Sequence, residues 1–393
     1  MPAMQPTGQD ADLASLVRGN TRFALDFYAQ IRHVEGNLIC SPYSISTALA
    51  MTYAGARGNT EAQMAQTLHF ALDQERLHPA CAALQGVLRA VQDQGHVQLC
   101  VANSLWPHDG YPFLDAYLSL VKRTYGVSIS PVDYANETEA ARLAINAWVK
   151  EKTGSKIDEL IKQGVLNTLT RLVLANAIYF KGDWASQFDV ADTRDAPFWV
   201  TRDHQVDVPM MAQRGRFGYT EADGLQVLVL PYLGDDLSMV VFLPAEKDGL
   251  ATLEGRLSAE SLARWTDRLV ECEVQVHLPR FRFRFGDDLV SVLVAMGMAD
   301  ACDRDRADFS GMDGIVHWLS IGAVIHEAVI EVNEEGSEAA AATAVVMQSR
   351  GRPPPLPVFC ADHPFLFMIR ENATGSVLFL GRATDPSRKE LER

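Results

Sequence analysis

Apolar positions recur along the chain with two periods, one typical of helices and one typical of strands. The helical period covers residues 12–31, 113–125, 136–154, 250–256 and 259–269. The strand period, or a continuous apolar run of strand length, covers residues 97–106, 168–184 and 318–332. Helices and strands are therefore predicted to alternate along the whole chain.

Residues 196–244 carry several short strand patterns, and turns are predicted between them at Gly218, Gly224 and the pair Gly234-Asp235. Short strands at this spacing pair with their neighbours along the chain. They predict a second sheet beside the one that the longer apolar runs would form.

Residues 280–285 alternate strictly between basic and aromatic side chains. Phe281, Phe283 and Phe285 would share one face of a strand, with three arginines on the other. Such interleaving also suits a nucleic-acid-binding surface, but the chain has 50 acidic against 35 basic residues and a net charge of −15. That charge repels nucleic acid and anionic membranes. We therefore expect a half-buried strand, and neither a nucleic-acid nor a membrane partner.

The composition is that of a soluble globular protein, with 393 residues of which 48% are hydrophobic. No apolar run approaches the roughly 18 residues of a membrane span. Asp10 and Asp12 lie where a signal peptide would need its apolar region. A cytoplasmic location is expected, or an extracellular one if a signal peptide has been removed. The six cysteines lie far apart without metal-ligand spacing, and are expected to be free.

No motif favours an enzyme, because the sequence contains no phosphate-binding glycine loop, no nucleophile elbow and no zinc-protease motif. His326 lies within an apolar strand pattern, and Ile330 stands where a second zinc-binding histidine would be needed. A lone histidine in such a strand is typically a buried, hydrogen-bonded residue. We expect no metal, no cofactor and no enzymatic activity.

The most unusual stretch is residues 334–357, EEGSEAAAATAVVMQSRGRPPPLP, which lies between two strand patterns. The 36 residues that follow are too few to fold alone, so the stretch does not link two domains. A loop of 24 residues inside a compact domain is uncommon and usually functional.

This stretch begins with small residues that suit either a helix or a strand: Gly336, Ser337, Ala339, Ala340, Ala341 and Ala342. As a strand it would carry small side chains on one face and Glu338 on the other, so it could enter an existing sheet without clashes. Its tip at Arg350 and Gly351 is basic and flexible, which suits a protease that cleaves after arginine. The proline-rich residues 353–357 stiffen the far side.

Three motifs make the chain similar to the serpin family: NEEGSEAAAAT at 333–343, FCADHPFLFMI at 359–369 and LFLGRATDP at 378–386. The resemblance covers residues 12–386. It implies one α+β domain over residues 1–393, with three β-sheets, about eight or nine helices and an exposed reactive-centre loop at 334–357. Residues 1–10 and 387–393 would be flexible tails, and we expect a monomer.

The resemblance also implies roles for individual residues. Four match the shutter, the point beneath the central sheet where it opens: Ser41, Ser44, Asn176 and His326. Three match the breach, where loop insertion begins: Trp184, Arg280 and Glu334, the last two as an ion pair. The loop hinge would comprise Glu334, Glu338 and the small residues named above. From pattern alone, Ser41 is simply the N-cap of a helix with Pro42 at its first position, and Trp184 a core residue.

The function that the resemblance implies is suicide-substrate inhibition of a serine protease. The protease attacks the carbonyl of the cleaved residue and forms an acyl-enzyme. Insertion of the loop into the central sheet would then trap it. Counting 17 residues from Glu334 in the family's hinge register gives Arg350-Gly351 as the cleaved bond. The expected partner is a trypsin-like serine protease in a covalent complex.

Two alternatives stay open at this stage. Arg352 is a rival cleavage site, although Pro353 follows it and trypsin-like proteases cut poorly before proline; cleavage after Met347 or Ser349 is a further possibility. The chain could also resemble a non-inhibitory serpin, a binding or chaperone protein whose loop is only a substrate. The hinge contains no proline and its single outward charge is Glu338, which favours inhibition.

Overall fold

The computed structural model of the chain describes residues 8–334 and 356–388. These residues form helices and strands in alternation, so the mixed α+β class predicted from the sequence is confirmed. Among the described residues, none of the helices is both long enough and apolar enough to cross a membrane.

The helices of the described residues number eleven. They are α1 (Gly8–Ile31), α2 (Pro42–Tyr53), α3 (Gly58–Thr67), α4 (Gln74–Asp93), α5 (Asp115–Tyr125), α6 (Thr138–Lys152), α7 (Leu250–Gly255), α8 (Ala259–Thr266), α9 (Val290–Ala295), α10 (Ala299–Cys302) and α11 (Ser310–Asp313). The count exceeds the expected eight or nine because α10 and α11 have only four residues each. A single turn is too short to show a helical period in the sequence.

The strands are β1 (Leu38–Cys40), β2 (Val97–Pro107), β3 (Ser128–Ile129), β4 (Leu172–Gly182), β5 (Arg194–Thr201), β6 (His204–Ala222), β7 (Leu225–Pro231), β8 (Leu237–Pro244), β9 (Val270–Pro279), β10 (Phe281–Asp288), β11 (Ile325–Val332), β12 (Val358–Cys360), β13 (Phe365–Glu371) and β14 (Val377–Ala383). The pattern over residues 318–332 therefore overextends the strand, which begins only at Ile325.

The smaller sheet has five strands in the order β10-β11-β4-β2-β3. Within it β11 and β4 are parallel neighbours, whereas β10 and β2 run antiparallel to them. The alternation predicted for residues 280–285 is confirmed, because Phe281, Phe283 and Phe285 are buried. The rings of Phe281 and Phe283 stack at 4.4 Å.

The larger sheet has nine strands in the order β1-β14-β13-β8-β7-β6-β9-β12, with β5 paired to β6. The described strands thus form two hydrogen-bonded sheets and not the three expected. The reason is β6, whose 19 residues pair first with β5 and β9 and then with β7, so that it joins two groups of strands into one ladder.

The turn predicted at Gly218 is wrong, because Gly218 lies inside β6 and pairs with both Val229 and Glu271. A glycine in a strand pattern often marks a turn, but here the apolar alternation continues through it. The turns predicted at Gly224 and Gly234 are present, and both glycines have positive φ.

The two sheets face each other with α2 between them. Every residue of α2 is buried, and the helix contacts β14 of the larger sheet and β4 of the smaller one. Phe180 of β4 and Phe379 of β14 bring their rings to 5.6 Å. On the opposite face of the smaller sheet, α6 packs Ile145 and Val149 against the strands in a second apolar cluster.

Candidate functional site

The candidate site is the junction between β4 and β11, the two parallel neighbours in the smaller sheet. Their register runs from Asn176 opposite His326 to Phe180 opposite Ile330. Each strand continues two residues beyond this ladder, to Gly182 and to Val332. The junction is therefore hydrogen-bonded in its middle and ends before the strands do.

A polar network lies beneath the middle of this junction and contains the four predicted shutter residues. The Nδ1 atom of His326 lies 2.9 Å from Oδ1 of Asn176. The amide of Asn176 donates to the hydroxyl of Ser44 at 2.6 Å and to its backbone carbonyl at 3.1 Å. The backbone N–H of Ser41 donates to Nε2 of His326 at 3.2 Å. The structure thus brings β4, β11 and the start of α2 together through side chains.

These contacts require a neutral His326. A backbone N–H can only donate, so Nε2 accepts from Ser41, and Nδ1 carries the proton that Asn176 accepts. His326 is 1% exposed. Burial lowers the pKa of His326 to about 3. A second proton would place a charge under the sheet and turn the Ser41 contact into an N–H facing an N–H.

Ser41 has both roles that the sequence suggested. Its hydroxyl accepts from the backbone N–H of Ser44 at 3.2 Å, which caps the first turn of α2. The same hydroxyl donates to the carbonyl of Leu378 at 2.7 Å. The network under the smaller sheet is in this way attached to β14 of the larger sheet.

The three predicted breach residues lie together at the end of the junction where β11 leaves the sheet. Nε1 of Trp184 donates to the carbonyl of Asn333 at 2.9 Å, so a side chain bridges the strands beyond their ladder. The indole stacks on Tyr232 at 4.6 Å and 11°. Trp184 is 3% exposed, which also confirms its prediction as a core residue.

Glu334 is buried at the last described residue before the loop. Its carboxylate lies 3.6 Å from the guanidinium of Arg280, confirming the expected pair, and accepts from the hydroxyl of Thr193 at 2.8 Å. Arg280 is half-exposed, which limits the ion pair to about 1 kcal/mol or less. Thr193 was missed by sequence reasoning because it lies 141 positions away in a segment without a motif.

Sequence reasoning also missed a contact across the junction above the ladder. Nζ of Lys156 lies 3.7 Å from the carboxylate of Glu331 on β11 and 5.1 Å from the ring centre of Tyr179 on β4. The hydroxyl of Tyr179 donates to the same carboxylate at 3.4 Å. Lys156 follows α6, so this segment ties the two strands together. The sequence did not indicate that Lys156 and Glu331 would be in contact.

Two polar side chains of α6 fix the chain that leads to Lys156 and beyond. The Asn146 side chain accepts from the backbone of Leu160 and Ile161 and donates to the carbonyl of Ile161 at 2.9 Å. Arg142 donates to the same carbonyl at 2.8 Å. The helix and the segment after it therefore lie on the sheet as one unit.

Several predicted site residues lie outside the described residues: Gly336, Ser337, Glu338, Ala339, Ala340, Ala341, Ala342, Arg350 and Gly351. Among the described residues, no group of three or more His, Cys, Asp or Glu side chains is arranged to hold a metal ion. All six cysteines are free thiols.

The chain is similar to known proteins over nearly its whole length. The family model described as "Serpin (serine protease inhibitor)" matches residues 18–386. Leukocyte elastase inhibitor of Sus scrofa is 43% identical over 384 residues, covering 95% of this chain and 100% of that protein. Serpin B4 of Homo sapiens is 40% identical over 395 residues, with the same coverage.

Solved structures agree with these sequence matches. Uncleaved ovalbumin aligns with a TM-score of 0.86 at 31% identity, covering 95% of this chain and all of that one. Maspin aligns with a TM-score of 0.87 at 26% identity, covering 96% of this chain and all of the other.

Proposed function

The chain belongs to the serpin family of serine protease inhibitors, and from that premise we propose that it traps trypsin-like serine proteases as a suicide substrate. The protease cleaves Arg350-Gly351 and stays attached to Arg350 as an acyl-enzyme. Residues 337–350 then enter the smaller sheet between β11 and β4 before water can release the protease. In this proposal Ser41, Ser44, Asn176 and His326 form the shutter.

One observation carries the proposal: the chain leaves β11 at Glu334, beside the end of the parallel strand β4. A segment that turned back from there would run antiparallel to β11 and also antiparallel to β4. Both of its edges could therefore form complete antiparallel ladders. Trp184, Arg280 and Glu334 lie at the entrance to this position, so we assign them to the breach.

The hydrogen bonds that insertion would form favour the inserted state. The inserted segment of 14 residues has a length of about 46 Å at about 3.3 Å per residue. A dozen new ladder hydrogen bonds at about 1 kcal/mol each give on the order of 10 kcal/mol. The uncleaved fold is then metastable relative to the inserted one.

The specificity for trypsin-like proteases rests on Arg350. The S1 pocket of trypsin carries a carboxylate that pairs with a basic residue, whereas that of elastase accepts a small one. Several relatives are named leukocyte elastase inhibitor, and Ser349 would offer elastase a small side chain next to the proposed bond. Elastase, cutting after Met347 or Ser349, is therefore the second candidate target.

Incubation of the purified protein with trypsin, and separately with leukocyte elastase, tests both candidates. An inhibitor gives a complex that survives SDS, and mass spectrometry of the released carboxyl-terminal peptide identifies the cleaved bond. We expect a trypsin complex with Gly351 as the new amino terminus. A complex with elastase alone would replace the trypsin-like assignment and leave inhibition intact.

Two substitutions at the tip form a matched pair. Arg350→Ala removes the proposed S1 residue, and we expect inhibition of trypsin to fall by at least about a hundredfold, since the buried charge pair is worth about 3 kcal/mol. Arg352→Ala removes an equal charge two residues away and is expected to leave inhibition within about twofold. The reverse pattern would move the cleaved bond to Arg352.

The alternative of a non-inhibitory serpin is tested at the hinge. Ala339→Arg places a long charged side chain on the face of the segment that insertion would bury. It leaves the proposed cleavage site, Arg350-Gly351, unchanged. We expect trypsin to cleave this variant and to be released, so that the reaction yields cleaved protein in place of the SDS-stable complex. A wild-type protein that is only clipped would establish the non-inhibitory alternative.

A further inference from the structure

A short segment, residues 361–364, connects β12 to β13 and attaches them to other strands of the larger sheet. The backbone N–H of Ala361 donates to the carbonyl of His277 on β9 at 2.9 Å. The N–H of Trp199 on β5 donates to the carbonyl of Asp362 at 2.7 Å. β12 itself has only three residues, which pair with β9. The position of β12 therefore depends on how firmly this segment is held.

His363, in the same segment, lies between two oxygen atoms that can only accept hydrogen bonds. Its Nδ1 atom lies 2.7 Å from Oδ1 of Asp362, and its Nε2 atom lies 2.7 Å from the carbonyl oxygen of Pro244, the last residue of β8. An ionised carboxylate and a carbonyl have no proton to donate, so each contact requires an N–H on the ring. A neutral imidazole has one N–H and would place a nitrogen lone pair against the other oxygen. Both contacts are therefore satisfied only when His363 carries two protons.

The charge that this second proton brings is compensated by the carboxylate of Asp362. His363 is 6% exposed, and a buried charge is costly unless it is paired. The side chain of Asp362 is 32% exposed, so the pair lies at the edge of the core. His326 differs, because its Nε2 faces the N–H of Ser41 and leaves room for one proton only. These two buried histidines therefore require opposite protonation states.

The other charged groups on the elements around His363 have contacts of their own or are exposed. Nζ of Lys247, which follows β8, lies 3.6 Å from the ring centre of Trp199. Arg202, in the turn after β5, pairs with Asp248 at 2.8 Å, and Glu246 is exposed. The charged residues of β5 and β9 lie towards the other ends of those strands: Arg194, Asp195, Glu271 and Glu273. Asp362 is thus the carboxylate that contacts His363 among the described residues.

Two titratable side chains nearby keep a constant charge at neutral pH. Burial lowers the pKa of His277, so its imidazole is neutral there. Burial, and in second place the charge of Asp362, raises the pKa of the Cys360 thiol to about 11. A change in the attachment of this segment around neutral pH therefore points to His363.

We propose that His363 is a pH-dependent attachment point, whose second proton holds residues 361–364, and with them β12, against the end of β8. As the pH rises this proton is lost, and one of the two oxygens then faces a ring nitrogen without a hydrogen. The contact to Pro244 or to Asp362 weakens, and the segment opens more often. β12 comes directly after the stretch 334–357, so the proton determines how firmly the carboxyl-terminal end of that stretch is held. The inference does not depend on the proposed function.

Nuclear magnetic resonance of the histidine rings tests the protonation state. The protein is labelled with nitrogen-15 in its histidine side chains, and the signals of His363 are identified by their loss in His363→Gln. At pH 6 we expect both ring nitrogens of His363 to carry a proton. His326 should show one protonated and one bare nitrogen in the same sample. At pH 8.5 His363 should also have one bare nitrogen.

Hydrogen exchange of residues 358–365 measures the attachment itself. The rates are corrected for the intrinsic pH dependence of exchange, so that they report how often the segment opens. We expect protection in the wild type to fall about tenfold from pH 6 to pH 8.5, because a hydrogen bond from a charged group is lost.

Three variants assign the change to the ring of His363. His363→Lys keeps a charge and N–H donors at both pH values, so protection should stay constant. Asp362→Asn removes the negative charge that holds the second proton, and should lower protection at pH 6 to the wild-type value at pH 8.5. His204→Gln is the control, since it removes an exposed histidine at the start of β6, and it should behave as the wild type does.

Each contrary result overturns the inference. A bare nitrogen on His363 at pH 6 would show that the ring holds one proton only. Equal protection of residues 358–365 in the wild type at pH 6 and pH 8.5 would show that the proton does not hold the segment. A fall in protection that persists in His363→Lys would assign the pH dependence to another group. None of these measurements involves a protease, so the proposed function stands or fails separately.

Discussion

His326 couples the stability of the fold to pH through a single proton. Its folded-state pKa of about 3 lies below the value of about 6.5 in an unfolded chain, so the unfolded state binds more protons between these values. The stability it contributes is complete above about pH 6.5 and is lost as the pH falls towards about 3. Within that window the loss is about 1.4 kcal/mol per pH unit.

The first prediction is that His326→Gln flattens the acid limb of the stability curve. Glutamine can still accept from Ser41 and donate to Asn176, but it binds no proton in this range. Urea unfolding at pH 7 and pH 4.5 measures the difference. We expect wild type to lose about 2–3 kcal/mol more than the variant between the two pH values. Identical losses would exclude His326 as the acid-sensitive group.

His326 is not the only buried histidine that contributes to acid sensitivity, because His78 is buried as well. Burial lowers the pKa of His78 to about 4, and its Nε2 has no hydrogen-bond partner among the described residues. The sign is the same as for His326. The variant should therefore keep a shallower acid limb, which His326→Gln/His78→Gln would remove.

The second prediction concerns Trp184, whose indole N–H is the bridge to Asn333. Trp184→Phe keeps an aromatic ring against Tyr232 but leaves the carbonyl of Asn333 without this donor. Loss of one hydrogen bond in a partly buried place costs about 1 kcal/mol. Urea unfolding should show this loss. The end of the β4–β11 junction, where Trp184 contacts Asn333, should also open more readily. Unchanged stability would mean that water replaces the indole N–H at no cost.

At the scale of elements, the sequence predicted the helices and strands whose apolar residues recur with a regular period. The long helices α1, α5 and α6 lie within a few residues of their patterns, and the alternation of Phe281, Phe283 and Phe285 gave the buried face of β10. These elements have one buried face and enough length for the period to repeat. The contact between Asn176 and His326, which we propose as shutter residues, could be expected only from the family resemblance, since they lie 150 positions apart.

Other elements could not be predicted because their cause is tertiary. The path of β6 through two groups of strands depends on which strands pair with it, and the sequence does not show this. Without the pairing, a glycine such as Gly218 is easily taken for a turn residue. The strand pattern before Ile325 was overextended because it includes Trp318, which is apolar but exposed. Lys156 and Thr193 reach their partners through the fold alone.

The third prediction belongs to the segment after α6, which holds the two strands of the junction together. Lys156→Gln keeps most of the side chain and removes the charge that contacts Glu331 and Tyr179. Lys156 and Glu331 are 37% and 25% exposed, so the pair contributes at most about 1 kcal/mol. We expect uptake of a synthetic peptide with the sequence of residues 337–350 to become roughly two- to fivefold faster.

The control for this measurement is Lys152→Gln, which removes an exposed charge whose ion pair within the described residues is with Glu151 on the same helix. Fluorescence anisotropy of a labelled peptide gives the uptake rate for wild type and both variants. Equal rates for Lys156→Gln and Lys152→Gln would mean that the contact across the junction breaks after the slow step, or is absent in solution.

At the scale of the whole molecule, the described contacts hold the uncleaved fold at several points that insertion would have to change. The ladder between β4 and β11, the His326 network below it and the Lys156 contact above it all join the same two strands. Each of these contacts contributes only about 1 to 3 kcal/mol to the stability of the junction. In the proposed mechanism their sum would delay opening, while the larger gain from a new central strand would be available only after cleavage.

The last prediction is therefore that cleavage stabilises the protein. A gain of about 10 kcal/mol, divided by an unfolding entropy of about 0.8 kcal/mol per kelvin for a chain of this size, raises the melting temperature by about 12 °C. Calorimetry of intact protein and of loop-cleaved protein freed of protease measures the shift. Cleaved Ala339→Arg is the control and should melt close to the intact protein, because its hinge cannot enter the sheet. A cleaved wild-type protein that melts no higher than the intact one would show that residues 337–350 do not become a strand, and the inhibitory mechanism would then lack its driving force.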